Sequence, residues 1–190
     1  MLQLLGLGAA ESLDKATLAA ALSLVSAAEF ETQAMAQGLV VAKVRDFKEW
    51  DAHPHAQWRV KQPLIKLTKI ADAPARRLNN MNPDERPLSD VRVLDLTRIL
   101  AGPVAGRTLA AYGADVMLVN SPALPNISSI VDTSRGKRSA LVDLSMANGV
   151  RKLQSLARRA QVFIQGYRRG SLAKLGFSPT GLAVLNPGIV

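Results

Sequence analysis

Hydrophobic and polar residues alternate in different patterns in the two halves of the chain. In residues 12–37 apolar positions recur three and four residues apart, with a break near Ser26, which predicts two helical stretches. Residues 38–44 predict a short strand, and a further helix is predicted with Asp46 as its cap. The alternation in residues 63–70 predicts a half-exposed antiparallel strand. The first half is therefore predicted to be an α+β segment.

After residue 88 the apolar residues form nearly continuous runs. Four such runs predict strands, at 91–97, 114–120, 139–144 and 161–167. Helical spacing at 103–113 and 147–160 separates them, and a short helix ended by Gly176 precedes the start of another strand at 186–190. This order predicts an α/β fold with a mostly parallel sheet covered by helices on both faces.

Three prolines, two adjacent asparagines and several charges predict a linker at residues 73–88. We therefore expect residues 1–72 to be one segment and residues 89–190 to be the first part of an α/β domain. The chain stops at Val190, where a strand is predicted to begin. A sheet should not end on an unpaired opening strand, so we expect a fragment of a longer protein.

Composition narrows the chemistry and the partners. Cysteine is absent, which excludes disulfides and thiolate nucleophiles and suits the cytoplasm, the compartment we expect. No apolar run approaches the ~20 residues that span a bilayer. His53 and His55 are interpreted as part of a loop, without a metal. Residues 1–87 have a net charge of +1 and residues 88–190 one of +8, which favours an anionic partner for the second half.

Two basic clusters lie next to predicted strands. Arg135, Lys137 and Arg138 precede one strand, whereas Arg168 and Arg169 follow another. Each cluster is either a solvated loop or a site for a phosphorylated ligand, because arginine binds phosphate with two parallel hydrogen bonds. Ligands bind at the carboxyl edge of open parallel sheets, which favours the second cluster.

The first strand leads into a turn with Gly102 and Gly106, a spacing that does not match a dinucleotide fingerprint. Asn120 also stands where such a site would place an acidic residue at the end of the second strand. The turn is either an anion site at a helix N-terminus or a place of tight strand–helix packing. Asp95 and Asp143 lie inside strand-like runs, which favours a structural role over catalysis.

Three stretches together resemble the class III CoA-transferase family, also called CaiB/BaiF, which includes formyl-CoA transferases, carnitine CoA-transferases and acyl-CoA racemases. They are residues 87–119, 132–144 and 162–190. The resemblance implies a Rossmann-like domain and an interlocked homodimer. It also implies transfer of CoA from an acyl-CoA to a carboxylic acid acceptor through an aspartate nucleophile. That aspartate would lie beyond Val190, so we assign no catalytic residue and expect this chain alone to be inactive.

The resemblance also implies which residues contact coenzyme A. Carried over position by position, these are Leu100, Ala101, Val142, Asp143, Leu144, Ser145, Gly166, Tyr167, Arg168 and Lys174. Arg138 is added as the cation of the first cluster that reaches the charged part of CoA. Residues 120–122 replace the Glu-Arg-Pro triplet of many members, and Gly166 replaces an asparagine, so two familiar contacts are changed. No metal is expected.

Residues 1–72 resemble the closing part of the small domain of the same family. The linker at 73–88 would then join the tail of one family unit to the head of another, as in a tandem protein. An acyl-CoA racemase and a non-catalytic basic domain that binds CoA or nucleic acid are the alternatives. Residues 88–190 hold only four aromatic side chains for base stacking, so we expect no nucleic-acid partner, and no membrane partner.

Overall fold

The computed structural model describes residues 1–8, 14–74 and 84–190. They form two compact units, Met1–Lys66 and Leu67–Val190. Most of the predicted linker, residues 75–83, lies outside the described residues.

The first unit is built from short helices. They are a 3-10 helix at Leu2–Leu5, α1 at Lys15–Ser23, α2 at Ala27–Ala36, α3 at Phe47–Ala52 and α4 at Pro54–Val60. The predicted break near Ser26 is confirmed, since α2 begins one residue later. Asp46 accepts a hydrogen bond from the amide of Glu49 and the Glu49 side chain returns one, which is the capping box that starts α3. Helix α4 was not predicted.

Both strand predictions for this part of the chain are wrong. Residues 38–44 and 63–70 form no strand, and neither range pairs with a strand among the described residues. Leu64 and Leu67 are about nine-tenths exposed. An alternating pattern describes a strand with one buried face, but only a partner strand and a covering layer make that strand form.

The second unit contains a four-stranded, entirely parallel sheet. Its strands are β1 at Arg92–Leu96, β2 at Asp115–Asn120, β3 at Arg138–Leu141 and β4 at Val162–Gln165. The helices are α5 at Ala101–Ala111, α6 at Ile130–Thr133, α7 at Ala147–Ala157, a 3-10 helix at Ala173–Leu175 and α8 at Pro179–Leu185. The strand order is β3-β2-β1-β4. The predicted α/β fold is confirmed.

The sheet has a separate apolar core on each face. Val93 of β1 packs with Ala110 of α5 in one core. Its neighbour Leu94 points the other way, into a core with Leu153 and Ala157 of α7. Because both faces are covered, the strands read as continuous apolar runs, which is why the sequence pattern identified them.

The order of the strands creates a switch point between β1 and β4. The chain runs from β1 to β2 to β3 on one side and then returns to place β4 on the other side of β1. Val190 extends the sheet beyond β4: its amide donates to the Gln161 carbonyl at 2.9 Å, and its carbonyl accepts from the Phe163 amide at 2.8 Å. Of the strand predicted at 186–190, only this pairing is present.

Candidate functional site

The carboxyl ends of β1 and β4 lie side by side. After β1 the chain turns at Thr97 and enters α5, and after β4 it turns at Gly166. A Cβ placed on Gly166 would lie 3.8 Å from the Thr97 side chain, so the two turns face each other closely. Ligands of open α/β sheets bind at such a switch point, outside the carboxyl ends of the strands.

The turn between β1 and α5 is conformationally unusual and open. Ile99 has φ +76°, and among the described residues it is the one non-glycine with a positive φ. Leu100 is 56% exposed and Ala101 is exposed, and no side chain caps α5. Pro103 has no N–H, so Ala101 and Gly102 carry the first free amide groups of this eleven-residue helix, where the helix dipole favours an anion. Gly102 is needed because a Cβ there would overlap the Thr97 side chain.

Arg98 places a cation in this turn. Its Nη2 donates to the Pro125 carbonyl at 2.5 Å, while its buried Nε has no hydrogen-bond partner among the described residues. The side chain lines a cavity of about 20 Å³ together with Asn120 and Ser129, enough for one water molecule. The sequence analysis did not select Arg98; the signal was its place directly after a buried strand that leads into a helix.

Tyr167 and its neighbours form the other side of the switch point. Tyr167 is half-buried, and its amide donates to the Gln165 side chain at 2.9 Å. Burial raises the pKa of its phenol above the ordinary value of 10.0, and the charge of Arg98 opposes that shift. Arg168 is exposed, and Lys174 lies exposed in the 3-10 helix that follows. Of the sequence candidates, the structure thus brings together Leu100, Ala101, Gly166, Tyr167 and Arg168.

The candidates that follow β3 lie at the same edge of the sheet but two strands away from β1. The Val142 side chain is buried in the core, so only its backbone is available to a ligand. Leu144 also packs against that core, whereas Ser145 is exposed. Asp143 accepts hydrogen bonds from the Ser145 hydroxyl at 2.7 Å and the Ser145 amide at 2.9 Å, and these bonds lower the pKa of the Asp143 carboxyl.

Arg138 is not brought together with the other candidates. It is the first residue of β3, at the amino edge of the sheet, where it forms an ion pair with Asp115. Lys137 fits neither interpretation of the first basic cluster, because its side chain is fully buried against Asp95, with Nζ and Oδ2 2.7 Å apart. Arg135 is exposed and lies 3.9 Å from Asp132, as expected of a solvated turn.

The sequence analysis therefore missed the partner of Asp95. The signal was present, because a carboxylate in the middle of a buried apolar strand needs a cation or several hydrogen-bond donors. There were three candidate cations within four residues, and their order along the chain does not distinguish the buried one: Arg135, Lys137 and Arg138.

The histidines belong to a helix start and not to a loop. The ring of His53 accepts a hydrogen bond from the His55 amide at 3.2 Å, which caps α4, and it stacks on Trp50 with ring centres 5.6 Å apart. Across residues 1–8, 14–74 and 84–190, no group of three or more acidic or histidine side chains is arranged to hold a metal ion. No helix in those residues is long and apolar enough to cross a membrane.

Comparison with known proteins identifies the second unit. Residues 88–190 match the model of CoA-transferase family III. An acyl-CoA transferase of Gibberella moniliformis is 35% identical over 157 residues, covering 80% of this chain and 27% of its own length. The alpha-methylacyl-CoA racemase of Mus musculus is 35% identical over 103 residues, covering 54% of this chain and 26% of its own length.

A solved structure agrees with these matches. A CaiB/BaiF family protein from Brucella suis superposes with a TM-score of 0.52 at 32% identity, over 56% of this chain and 32% of its own. The chain thus spans about a third or less of the length of the relatives it matches. The family model and the superposed structure agree: this chain belongs to CoA-transferase family III.

Proposed function

We propose that the protein containing this chain is an acyl-CoA transferase that moves CoA between carboxylic acids, and that residues 88–190 supply part of its CoA-binding face. The observation that carries this proposal is the arrangement at the β1/β4 switch point. There the uncapped N-terminus of α5 lies beside the turn that carries Tyr167 and Arg168. A CoA molecule needs cationic or N–H donors for its phosphates and apolar or aromatic surface for its adenine and its arm.

Each of these needs has a candidate at the site. The amide groups at the start of α5 and the side chain of Arg168 favour phosphate oxygens, and Lys174 is a further exposed cation in the 3-10 helix that follows. Exposed Leu100 offers apolar contact. Burial raises the pKa of the Tyr167 phenol, and the ring can stack on the adenine. Gly166 lets the backbone approach the ligand closely.

These residues bind and orient CoA, and they do not perform the covalent step. We take the carboxylate nucleophile that the family resemblance implies to lie outside the present residues. Asp143 is a poor substitute, because its Oδ1 already accepts two hydrogen bonds from Ser145. In the proposed reaction, a carboxylate would attack the acyl-CoA carbonyl and release the CoA thiolate. That thiolate would then attack the enzyme-side carbonyl of the resulting anhydride, release the acyl group as a carboxylate and leave an enzyme–CoA thioester. The acceptor carboxylate would attack this thioester and release the thiolate, and attack of the thiolate on the acceptor-side carbonyl of the new anhydride would form the acceptor's CoA thioester and restore the enzyme carboxylate.

We propose that residues 1–72 are the tail of one family unit, joined through 73–88 to the head of the next, in a tandem chain or an interlocked homodimer. The fungal relative supports this arrangement, because a match over 80% of the chain cannot be confined to residues 67–190 and so includes part of the first unit. We also propose a cytoplasmic location, which suits a chain that lacks cysteine.

An acyl-CoA racemase is the second candidate, favoured by the similarity to the murine racemase. The residues at the switch point would hold the CoA part of the substrate in either enzyme, so they do not separate the two. The longer protein, supplied with an acyl-CoA and a labelled carboxylic acid in D₂O, would separate them. A transferase moves CoA to the labelled acid, whereas a racemase incorporates deuterium at the α-carbon.

A titration tests the CoA-binding proposal on this chain. CoA, CoA lacking its 3′-phosphate and a short oligonucleotide are each titrated calorimetrically at two salt concentrations. We expect CoA to bind more tightly than the oligonucleotide at both salt concentrations. Equal or tighter oligonucleotide binding that falls steeply with salt would instead support a basic nucleic-acid-binding domain. Absence of CoA binding would contradict the proposed role of residues 88–190.

A further inference from the structure

A fully buried ion pair lies beneath the first turns of α5. Lys137 Nζ is 2.7 Å from Asp95 Oδ2, and neither side chain is exposed at all. Lys137 Nζ also donates to the carbonyl of Pro103, at 2.8 Å. The other carboxylate oxygen of Asp95 accepts hydrogen bonds from the amide of Thr97, at 3.0 Å, and from its hydroxyl. One ion pair therefore connects β1, the turn after it, the start of α5 and the residue before β3.

Helix α5 is seated directly on this pair. A Cβ on Gly106 would overlap the carboxylate of Asp95 and lie 2.9 Å from Lys137 Nζ. The second glycine of the G-x-x-x-G spacing is thus explained by close approach to the pair. The first glycine, Gly102, is explained by close approach to Thr97, which is itself bonded to Asp95.

Stability alone does not account for the pair. A lysine and an aspartate lose their hydration when buried, and replacing such a pair by apolar side chains of similar volume is often neutral or stabilising. The specific effect of this pair is geometric. Its hydrogen bonds reach Thr97 and Pro103, the residues on either side of the turn that contains Ile99 at φ +76°.

We propose that Asp95 and Lys137 are positioning residues that hold the β1–α5 turn in the conformation that binds CoA. This inference rests on the proposed function, since the turn carries the proposed contacts Leu100 and Ala101. Both residues lie under α5 with fully buried side chains and act on the ligand only through the turn. Lys137 thus supports the ligand site from the buried side of α5, although the sequence places it in a basic cluster that could bind a ligand directly.

The double variant Asp95→Asn/Lys137→Met in the full 190-residue chain tests the proposal. Asparagine keeps an acceptor for Thr97, and methionine approximates the length of lysine without its charge, so no unpaired charge is left buried. Three quantities are measured: the unfolding midpoint, the amide resonances of the ligand-free protein, and the CoA dissociation constant at two salt concentrations.

We expect CoA affinity to fall about tenfold while its salt dependence stays that of the wild type, because no cation that contacts phosphate is lost. The resonances of Thr97–Ala101 should shift, those of β2 and β3 away from the pair should not, and the unfolding midpoint should stay close to that of the wild type. Arg135→Met is the matched control, since it removes an exposed cation of the same cluster. It should change neither the turn resonances nor the affinity.

Three results would overturn the proposal. Unchanged CoA affinity with shifted resonances would make the pair merely structural. Reduced affinity and reduced salt dependence with unchanged turn resonances would make Lys137 a ligand contact. If the wild-type chain does not bind CoA, the CoA-binding proposal fails. In that case, turn resonances that are unchanged in the double variant would by themselves refute the positioning role. Should the double variant not fold, Gly106→Ala displaces α5 from the pair without removing a charge and should shift the same resonances.

Discussion

Arg138 and Asp115 form an ion pair that joins the amino-terminal ends of β3 and β2. The pair lies at the edge of the sheet opposite to Leu100 and Tyr167. Its side chains are 66% and 38% exposed, so it contributes at most about 1 kcal/mol to stability. The basic cluster that attracts notice in the sequence is thus divided in the fold between an exposed pair, a buried pair and a solvated turn.

The position of Arg138 gives the first prediction. Arg138→Gln should leave the CoA dissociation constant within about twofold of the wild type, because the side chain lies at the wrong edge of the sheet to reach the site. Arg168→Gln removes the same charge at the carboxyl edge and should weaken CoA binding by roughly fivefold or more. Calorimetric titration of both variants measures the difference. Equal losses of CoA affinity in the two variants would show that CoA binding depends only on the net charge of the domain and not on the position of each cation.

The second prediction concerns the contact between α7 and the turn after β3. A Cβ on Gly149 would overlap the backbone carbonyl of Asp143, which cannot move away as a flexible side chain can. Gly149→Ala should therefore destabilise the second unit by about 2 kcal/mol, even though alanine is the better helix former. Urea unfolding followed by the amide signals of β1 and β2 measures this loss.

Ser155→Ala is the matched control on the same helix. Ser155 is exposed on α7, so alanine there should change the free energy of unfolding by no more than about 0.5 kcal/mol. Similar losses of stability in both variants would indicate that α7 is sensitive to any substitution. The loss in Gly149→Ala could then not be attributed to the contact with Asp143.

The third prediction concerns the ionisation of Tyr167. The chain has two tyrosines, so Tyr112→Phe leaves Tyr167 as the only phenol that ionises. Burial disfavours the phenolate, and the ultraviolet titration midpoint of this variant should lie above 10.0. Circular dichroism on the same samples establishes that the fold persists at each pH. A midpoint at or below 10.0 in the folded protein would mean that Tyr167 is solvated and does not pack as described.

The fourth prediction is a pH dependence of the first unit. The hydrogen bond from Arg45 is the main cause that holds the pKa of the Glu31 carboxyl below its ordinary value of 4.5. Because the folded pKa is lowered, this carboxylate stabilises the unit above pH 4.5, and its contribution is lost as the pH falls through the folded pKa. The amide signals of α2 should weaken in that range in the wild type. The Glu31→Gln variant should already be less stable than the wild type at neutral pH, and its stability should not fall further as the pH passes through the folded pKa of Glu31. Identical stability–pH curves for the variant and the wild type would refute a stabilising role of the Glu31 carboxylate.

The sequence predicted the second unit well because its strands are buried on both faces. Continuous apolar runs such as that of β1 need no knowledge of a partner to be recognised. Residues 38–44 and 63–70 show the opposite case. Their apolar positions are compatible with strands, but neither range pairs with a strand among the described residues.

The family resemblance selected Leu100, Ala101 and Gly166–Arg168, which follow β1 and β4. That these two strands are neighbours was not predicted from the sequence, because the pattern of apolar runs does not give the order of strands in a sheet. The burial of Lys137 was not predictable from three cations within four residues, since only the approach of α5 to Asp95 distinguishes Lys137 from Arg135 and Arg138. Arg98 was missed for a similar reason: its burial depends on the backbone around Pro125.

A map of CoA-induced shifts in the amide resonances of the wild-type chain tests the central claim most directly. At saturating CoA, we expect the largest shifts at Leu100, Ala101 and Gly166–Arg168, and smaller shifts at the turn after β3. Shifts that cluster around Arg135 and Arg138, or no shift at the ends of β1 and β4, would contradict the claim that CoA binds at this switch point.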